Sequence, residues 1–287
     1  MFCPVLITGE MRSGTTLMTR LLSSQPGCVV VSDVLRSLFQ QADLLGIAEL
    51  DLHLGDRERN VLRSSLWAEG WARGVDGLTG AVDGATFLEL FLGALRQITG
   101  PRDADVVGTK ITCEYRYTDE LLDNGVRVIF CLRDPRDVLL SAKNRMGDYS
   151  LFQFADRWRT SYRIARRIRD HENCAVVVFE DLIDGARRRG ALDALEKALG
   201  IPIDARSFSA QGNEAGNSSF GDVTRPFDSK AAGRWKNSLG APEVIFASKF
   251  LQEEIRALGL DGYEPDQRAY DRLGRMYRRY RLARAIR

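Results

Sequence analysis

Short apolar runs alternate along the chain with longer segments in which apolar positions recur every three or four residues. The runs fall at residues 4–8, 28–31, 105–110, 126–132 and 174–180. One segment between them places Phe154, Trp158 and Tyr162 at the spacing of a helix. Strands that are apolar throughout and alternate with helices predict a parallel sheet with helices on both faces, which is an α/β fold.

A long segment of mostly helical periodicity, residues 34–104, separates the second and third apolar runs. It predicts a helical insertion within a single domain that spans residues 1–287. The chain ends in YDRLGRMYRRYRLARAIR, where seven arginines recur in a helical pattern. We therefore expect a basic C-terminal helix with a solvated face.

The composition excludes several classes of protein. With 287 residues and 44% hydrophobic content the chain can bury a large core, and its net charge of +2 gives no sign of nucleic-acid binding. The five cysteines are scattered singly, which favours a reducing compartment over disulfides or a metal site. Because neither a signal peptide nor a membrane span is visible, we expect a cytoplasmic protein.

The stretch LITGEMRSGTTLMTRLL, residues 6–22, reads as a strand, a glycine-bracketed turn and a helix, an arrangement that binds phosphates. Its backbone N–H groups and helix N-terminus predict an anion site. Arg12 adds a permanent charge to that site, and Thr15 and Thr16 add hydroxyl donors. A P-loop NTPase carries lysine at the position of Thr15, so the loop indicates an anion but leaves the ligand open.

A second group of polar residues follows the fourth apolar run. Arg133 stands at the end of that strand, and Ser141 and Arg145 lie one turn apart on the helix that comes next. These three residues predict a clamp for a second phosphate. Two other cations of the same helix, Arg136 and Lys143, are expected to lie at the surface.

A third polar segment, NSSFGDVTRPFDSKAAGRWKNSL, occupies residues 217–239. It combines hydroxyls, glycine and cations, including Arg234 and Lys236, in a loop that leads to a helix. Long connections of this kind in a compact domain are usually functional or disordered. The segment could therefore fold over a bound nucleotide.

Together the three segments resemble the sulfotransferases that use 3′-phosphoadenosine 5′-phosphosulfate (PAPS). GEMRSGTTLM is similar to the family's loop for the 5′-phosphosulfate, RDPRDVLLSAKNR resembles its 3′-phosphate segment, and GRWKN resembles its late loop-to-helix signature. The pattern is most similar to that of the tyrosylprotein sulfotransferases and their bacterial relatives. The motifs span residues 5–237, while the insertion and the C-terminus are not covered.

The resemblance implies a set of donor-binding residues. One group would hold the 5′-phosphosulfate, a second would hold the 3′-phosphate, and two late-loop residues would add contacts to the nucleotide. These groups are Arg12, Ser13, Gly14, Thr15 and Thr16, then Arg133, Ser141 and Arg145, and finally Ser219 and Arg234. Phe179 stands where relatives often carry tyrosine, which removes one possible hydroxyl contact.

The resemblance also implies catalytic residues. Asp33 falls where the tyrosylprotein enzymes place their glutamate base, and Lys110 falls on a lysine near the transferring group. Arg12 and Lys110 would offset charge on the leaving phosphate and the sulfuryl oxygens, and Ser219 would donate a hydrogen bond nearby.

The identity of the base stays open at this point. Because aspartate is one methylene shorter than glutamate, either the acceptor approaches Asp33 differently or Asp33 is not the base. His53, in the insertion, is the second candidate, and Glu114 ranks third. His171 lies in a polar turn and is expected to be solvated.

The implied reaction moves a sulfuryl group from PAPS to an acceptor hydroxyl and releases adenosine 3′,5′-bisphosphate (PAP), with no metal required. Since the chain shows neither a membrane anchor nor a secretory signal, a small-molecule, lipid or carbohydrate acceptor is favoured over a protein. The alternatives are a P-loop nucleotide-dependent kinase and a catalytically silent nucleotide-binding protein.

The insertion is the largest segment without a role in nucleotide binding, so we expect it to wall the acceptor pocket. Apolar side chains at its start and along its helices are the candidates for that wall. They are Leu35, Phe39, Trp67, Trp71 and Phe87. The alternative for each of them is that it only packs helices together.

Overall fold

The computed structural model describes residues 2–75, 78, 82–99, 103–146, 150–208, 227–260 and 267–285. Strands within this part of the chain form one parallel sheet. They are β1 (Cys3–Gly9), β2 (Cys28–Ser32), β3 (Val106–Lys110), β4 (Arg127–Leu132) and β5 (Cys174–Val178). The strand order is β2–β3–β1–β4–β5, so β1 is central.

Helices connect the strands and follow the sheet. They are α1 (Thr15–Ser23), α2 (Arg36–Leu45), α3 (Asp56–Arg73), α4 (Phe87–Thr99), α5 (Thr118–Asp123), α6 (Pro135–Met146), α7 (Leu151–Ile168), α8 (Phe179–Ile183), α9 (Arg188–Leu199), α10 (Trp235–Ser238), α11 (Ala241–Phe250), α12 (Gln252–Ala257) and α13 (Gln267–Ala285). The predicted α/β class and the helical insertion, now α2 to α4, are confirmed. The last predicted run is too long, because the chain turns into α8 directly after β5.

Both faces of the sheet are buried, which explains why its strands are apolar throughout. Successive residues of β1 point to opposite faces: Val5 and Ile7 belong to one core cluster and Leu6 to the other, and all three are fully buried. The cluster around Leu6 includes side chains of α2, α3 and α4, and the opposite one includes side chains of α1 and α9. The insertion is therefore part of the main core.

A third cluster packs the later helices together. Trp158 of α7 lies with Phe246 of α11 and Tyr277 of α13, and the Tyr277 hydroxyl donates to Asp156 at 2.7 Å. The indole N–H of Trp158 donates to the backbone carbonyl of Arg133 at 3.2 Å, just beyond β4. This contact ties the third cluster to the edge of the sheet where the strands end, which is where parallel sheets bind ligands.

The close approach of β1 to β4 gives a test of the fold. Gly9 has a φ of 138°, and a Cβ there would lie 2.3 Å from the carbonyl oxygen of Cys131. We expect Gly9→Ala to lower the free energy of unfolding by about 3 kcal/mol or more, since the clash adds to the backbone strain. Urea denaturation measures the loss.

Gly125→Ala is the matched control, because Gly125 also has a positive φ, of 78°, but no atom lies within 4 Å of its added Cβ. The control should lose only about 1–2 kcal/mol. Equal losses in the two variants would show that the close approach of β1 to β4 does not exclude a side chain at position 9.

Candidate active site

The loop between β1 and α1 is a tight turn at the N-terminus of a helix. The N–H of Ser13 donates to the carbonyl of Glu10 at 3.1 Å, and Gly14 caps α1 with a φ of 91°. Arg12 has a φ of 71°, a conformation that residues other than glycine rarely adopt. A left-handed turn that presents successive N–H groups before a helix is a favourable anion site.

Four arginines, which we call the arginine cluster, gather beside this loop: Arg12, Arg133, Arg145 and Arg234. Nε of Arg12 donates to Oγ of Ser141 at 2.9 Å, and Arg133 donates to the carbonyl of Arg12 at 3.1 Å. Burial lowers the pKa of Arg12, and the charges of Arg133 and Arg145 lower it further. Burial also lowers the pKa of Arg133, with a smaller contribution from Arg234. Concentrated positive charge of this kind favours an anionic ligand.

Two buried donors near the loop have no hydrogen-bond partner among the described residues. They are Nε of Arg133 and Oγ of Ser13. Arg133 is otherwise held firmly, because it donates to the carbonyl of Ala231 at 2.7 Å and lies 4.4 Å from the ring centroid of Phe179. Buried donors are normally paired, so these two fit a site whose acceptor comes from a ligand.

The prediction that Arg136 lies at the surface is wrong. Its side chain is fully buried, forms an ion pair with Asp134 at 2.6 Å and lies 3.9 Å from the ring centroid of Trp235. The same carboxylate caps α6 by accepting the backbone N–H of Arg136 at 2.9 Å. Pairing and stacking together make burial of a guanidinium tolerable. Lys143 is exposed as predicted and pairs with Glu243.

Asp137 of α6 holds the described part of the late loop in place. Its carboxylate accepts the N–H of Gly233 at 2.6 Å and the N–H of Trp235 at 3.0 Å. Arg234, between them, donates to the carbonyl of Lys230 at 2.8 Å. Ser219, the other late-loop residue predicted to contact the nucleotide, lies outside the described residues.

The predicted base and the predicted lysine are in direct contact. Nζ of Lys110 lies 2.5 Å from Oδ2 of Asp33, and Arg36 lies 2.6 Å from the other carboxylate oxygen. Burial raises the pKa of Asp33, but the hydrogen bonds from Lys110 and Arg36 outweigh it and leave the pKa below its ordinary value. Asp33 is therefore a charged carboxylate between two cations, and Arg36 is a neighbour that the sequence did not indicate.

The rival bases differ in their surroundings. Burial, reinforced by the charge of Asp43, raises the pKa of Glu114 to about 7. His53 is exposed, and its strand-like bridge is to Thr86, another residue of the insertion. His171 lies in a turn with 30% of its side chain exposed, and its Nδ1 accepts the backbone N–H of Asn173 at 3.1 Å.

Backbone strain concentrates at the same edge of the sheet. The non-glycine residues with positive φ among those described are Arg12, Asp33, Leu35 and Cys113. Each follows the end of β1, β2 or β3. Strain persists where the surrounding structure enforces it, and such residues cluster at active sites.

The prediction of which side chains line the acceptor pocket is corrected in part. Leu35, Phe39 and Phe87 have at most 1% of their surface exposed and belong to the main core, so in this structure they offer no surface to an acceptor. Phe39 packs edge-on against the Phe87 ring at 5.2 Å between centroids. Trp67 and Trp71 on α3 are 54% and 75% exposed and remain candidates.

Several residues of this region escaped prediction because their partners are remote in sequence. Asp137 contacts residues 96 and 98 positions later, and Glu10 pairs with a residue 147 positions later. Glu180, just after β5, accepts the N–H of Asp134 at 3.1 Å. Asp137 stands between cations in its own motif, but a lone carboxylate there does not identify a partner so far along the chain.

Comparison with known proteins assigns the class. Residues 4–205 match the sulfotransferase family, so the chain belongs to that family and is a transferase of that class. No curated protein sequence matches the chain.

Two solved structures support the same fold. The sulfotransferase domain of the olefin synthase from Synechococcus PCC 7002 is 18% identical, with a TM-score of 0.51 over 87% of this chain and 94% of that one. The sulfotransferase domain from the curacin biosynthetic pathway is 15% identical, with a TM-score of 0.53 over 92% of this chain and 99% of that one. Within the described ranges, no group of three or more potential metal ligands occurs, and no helix has the length and hydropathy of a membrane span.

The buried carboxyl group of Glu180 predicts a pH dependence of stability. Burial raises the pKa of Glu180 to about 7, against the opposing charge of Arg133. The unfolded-state pKa is about 4.3. Because the folded-state value is the higher one, the stabilising contribution is complete below about pH 4 and is lost as the pH rises to about 7.

Glu180→Gln removes this titration. The stability of the wild type relative to the variant should therefore fall by roughly 1–3 kcal/mol between pH 5 and pH 8. Urea denaturation at several pH values measures the difference, and the exposed Glu172→Gln serves as the control. A difference that stays constant with pH, or rises, would contradict the assignment.

Proposed function

We propose that this sulfotransferase takes its sulfuryl group from PAPS and transfers it to an acceptor hydroxyl, releasing PAP. The observation that supports this donor is the arginine cluster beside the loop. A ligand that is anionic at two ends needs two sets of cations, and the cluster extends from Arg12 in the loop to Arg145 on α6. A donor with one phosphate group would leave part of that charge without a partner.

The hydrogen-bond donors of the chain support a proposed position for each end of PAPS. The loop N–H groups, the unpaired Oγ of Ser13 and the hydroxyls of Thr15 and Thr16 suit the 5′-phosphosulfate. Arg133, with its unpaired Nε, suits the 3′-phosphate together with Ser141 and Arg145. Gly14 leaves room for the Phe179 ring, which an added Cβ would meet at 2.5 Å. Arg234 and Ser219 are proposed as further contacts from the late loop.

In the proposed reaction the acceptor oxygen forms a bond to sulfur as the bond from sulfur to the 5′-phosphate oxygen breaks. The acceptor's proton passes to a base, and the electron pair of the broken bond stays on the leaving phosphate. Arg12 and Lys110 would stabilise the charge on that phosphate and on the sulfuryl oxygens. Asp33 would take the proton, a proposal supported by its contact with Lys110 at 2.5 Å.

The acceptor is proposed to be a small molecule, a lipid or a carbohydrate hydroxyl. The five cysteines are free thiols, which supports a reducing compartment, and we propose the cytoplasm. Residues 1–287 are proposed to act as a single domain, since side chains of the insertion and the sheet share one core cluster.

The proposed 3′-phosphate clamp predicts a difference between two nucleotides. PAP should raise the melting temperature more than AMP does, because only PAP carries the 3′-phosphate. Arg145→Ala should weaken PAP binding by about 10- to 100-fold and leave AMP binding unchanged. Arg145 is exposed, so its removal should not disturb the fold.

The exposed Arg169→Ala, at the end of α7, is the control and should bind both nucleotides as the wild type does. Thermal shift and calorimetry provide the measurements. Equal responses to PAP and AMP in the wild type would overturn the proposed 3′ site.

The identity of the base is tested by replacing each candidate residue in turn. Asp33→Asn keeps the shape but loses the proton acceptor, so transfer should fall by about 10²–10⁴-fold while PAP binding changes little. Transfer is followed with labelled PAPS and a panel of phenol, steroid and sugar hydroxyls. Glu114→Gln and His53→Ala are made in parallel. Wild-type turnover in Asp33→Asn, with loss in one of the other two, would reassign the base.

A further inference from the structure

The loop between β1 and α1, which is the proposed anion site, contains a negatively charged residue of its own. Glu10 is the first residue after β1, two positions before Arg12, and only 1% of its surface is exposed. The family resemblance assigns no role to it. A carboxylate in a loop that attracts anions would repel a phosphosulfate, unless another group offsets its charge.

A cation from a different part of the chain lies against this carboxylate. Arg157 of α7 reaches Oε1 of Glu10 at 2.6 Å, and the hydroxyl of Tyr115 lies 3.5 Å from Oε2. Burial raises the pKa of Glu10, while the charge and hydrogen bond of Arg157 and the backbone N–H of Met11 oppose that rise. Arg157 and the Met11 N–H therefore favour the charged form of Glu10, but they offset the effect of burial only in part, and the pKa stays above its ordinary value.

We infer that Glu10 and Arg157 form a positioning pair for donor binding. Glu10 holds the loop by accepting hydrogen bonds from the backbone N–H of Met11 and from the guanidinium of Arg157. Arg157 in turn cancels the negative charge that Glu10 would otherwise place near the bound PAPS. The inference rests on the proposed donor site in this loop. Neither residue needs to contact the donor, because both act on it through the potential and the shape of the loop.

The two members of the pair should then respond differently to neutralisation. Arg157→Gln removes the cation that favours the charged form of Glu10, so at a pH high enough to ionise that carboxyl a buried negative charge is left beside the loop, and we expect PAP binding at pH 8 to weaken by about tenfold or more. Glu10→Gln keeps the size of the side chain and removes the negative charge, so PAP should bind within about threefold of the wild type, or more tightly. The double variant restores neutrality and should return to within about threefold of the wild type.

Two further variants separate charge from structure. Arg157→Lys keeps the cation and should recover most of the binding lost in Arg157→Gln. Arg159→Gln is the matched control, because it breaks an ion pair of the same helix, that of Arg159 with Glu254 at 2.7 Å, where α7 packs against α11 and α12. The control should bind PAP as the wild type does.

Kinetics provide a readout that a purely structural role would not reproduce. The charge of Glu10, once it is no longer offset, would repel PAPS equally before and during transfer. Arg157→Gln should therefore raise the KM for PAPS and leave kcat nearly unchanged. If the pair is merely structural, Glu10→Gln will be as damaging as Arg157→Gln, and the double variant will recover nothing. That pattern would overturn the inference.

The experiment distinguishes failure of the pair from failure of the proposed function. Calorimetric titration of the wild type with PAP tests the donor site by itself. Should PAP fail to bind, the same variants are compared by the thermal stabilisation that inorganic sulfate gives, which requires only the loop. Weaker stabilisation by sulfate in Arg157→Gln, restored in the double variant, would still support the pair, and equal stabilisation in all variants would refute it.

Discussion

Repulsion among like charges is the constraint on which this site depends. The arginine cluster brings guanidinium groups together at one edge of the sheet, where burial and repulsion from neighbouring arginines both oppose the charged state of Arg12 and Arg133. Arginine stays protonated under such conditions, so the cost falls on the folded structure instead. The structure offsets it with carboxylates placed behind the cations: Asp137 and Glu180 both raise the pKa of Arg133.

Those carboxylates also accept hydrogen bonds from the backbone. Asp137 accepts two N–H groups of the late loop, and Glu180 accepts the N–H that precedes α6. Asp134 caps α6 and pairs with Arg136, which stacks on Trp235. The same carboxylates therefore offset the charge of the arginines and hold the late loop in place. Changing one of these carboxylates alters both the charge and the geometry of the site.

The sequence predicted the parts of the site that depend on neighbouring residues. The strand, turn and helix around Arg12 are specified by local glycines and apolar spacing, and the placement of Ser141 and Arg145 on one helix follows from helical periodicity. The burial of Arg136 was missed because Trp235 lies far along the chain, although the aspartate two residues earlier gave a partial signal. The contact between Asp33 and Lys110 depends on the pairing of β2 with β3, which periodicity does not specify.

The left-handed backbone at the sheet edge restricts which sequences could replace this one. At Arg12, Asp33, Leu35 and Cys113, β-branched residues are disfavoured by φ alone, while glycine and asparagine fit the backbone most easily. Neither of those residues carries a charge. At Arg12, therefore, the residues most compatible with the backbone are the ones that lack the charge of the native residue, whereas at Asp33 the native aspartate is itself among the residues that tolerate a left-handed conformation. Divergence at this edge is limited by conformation and by charge at the same positions.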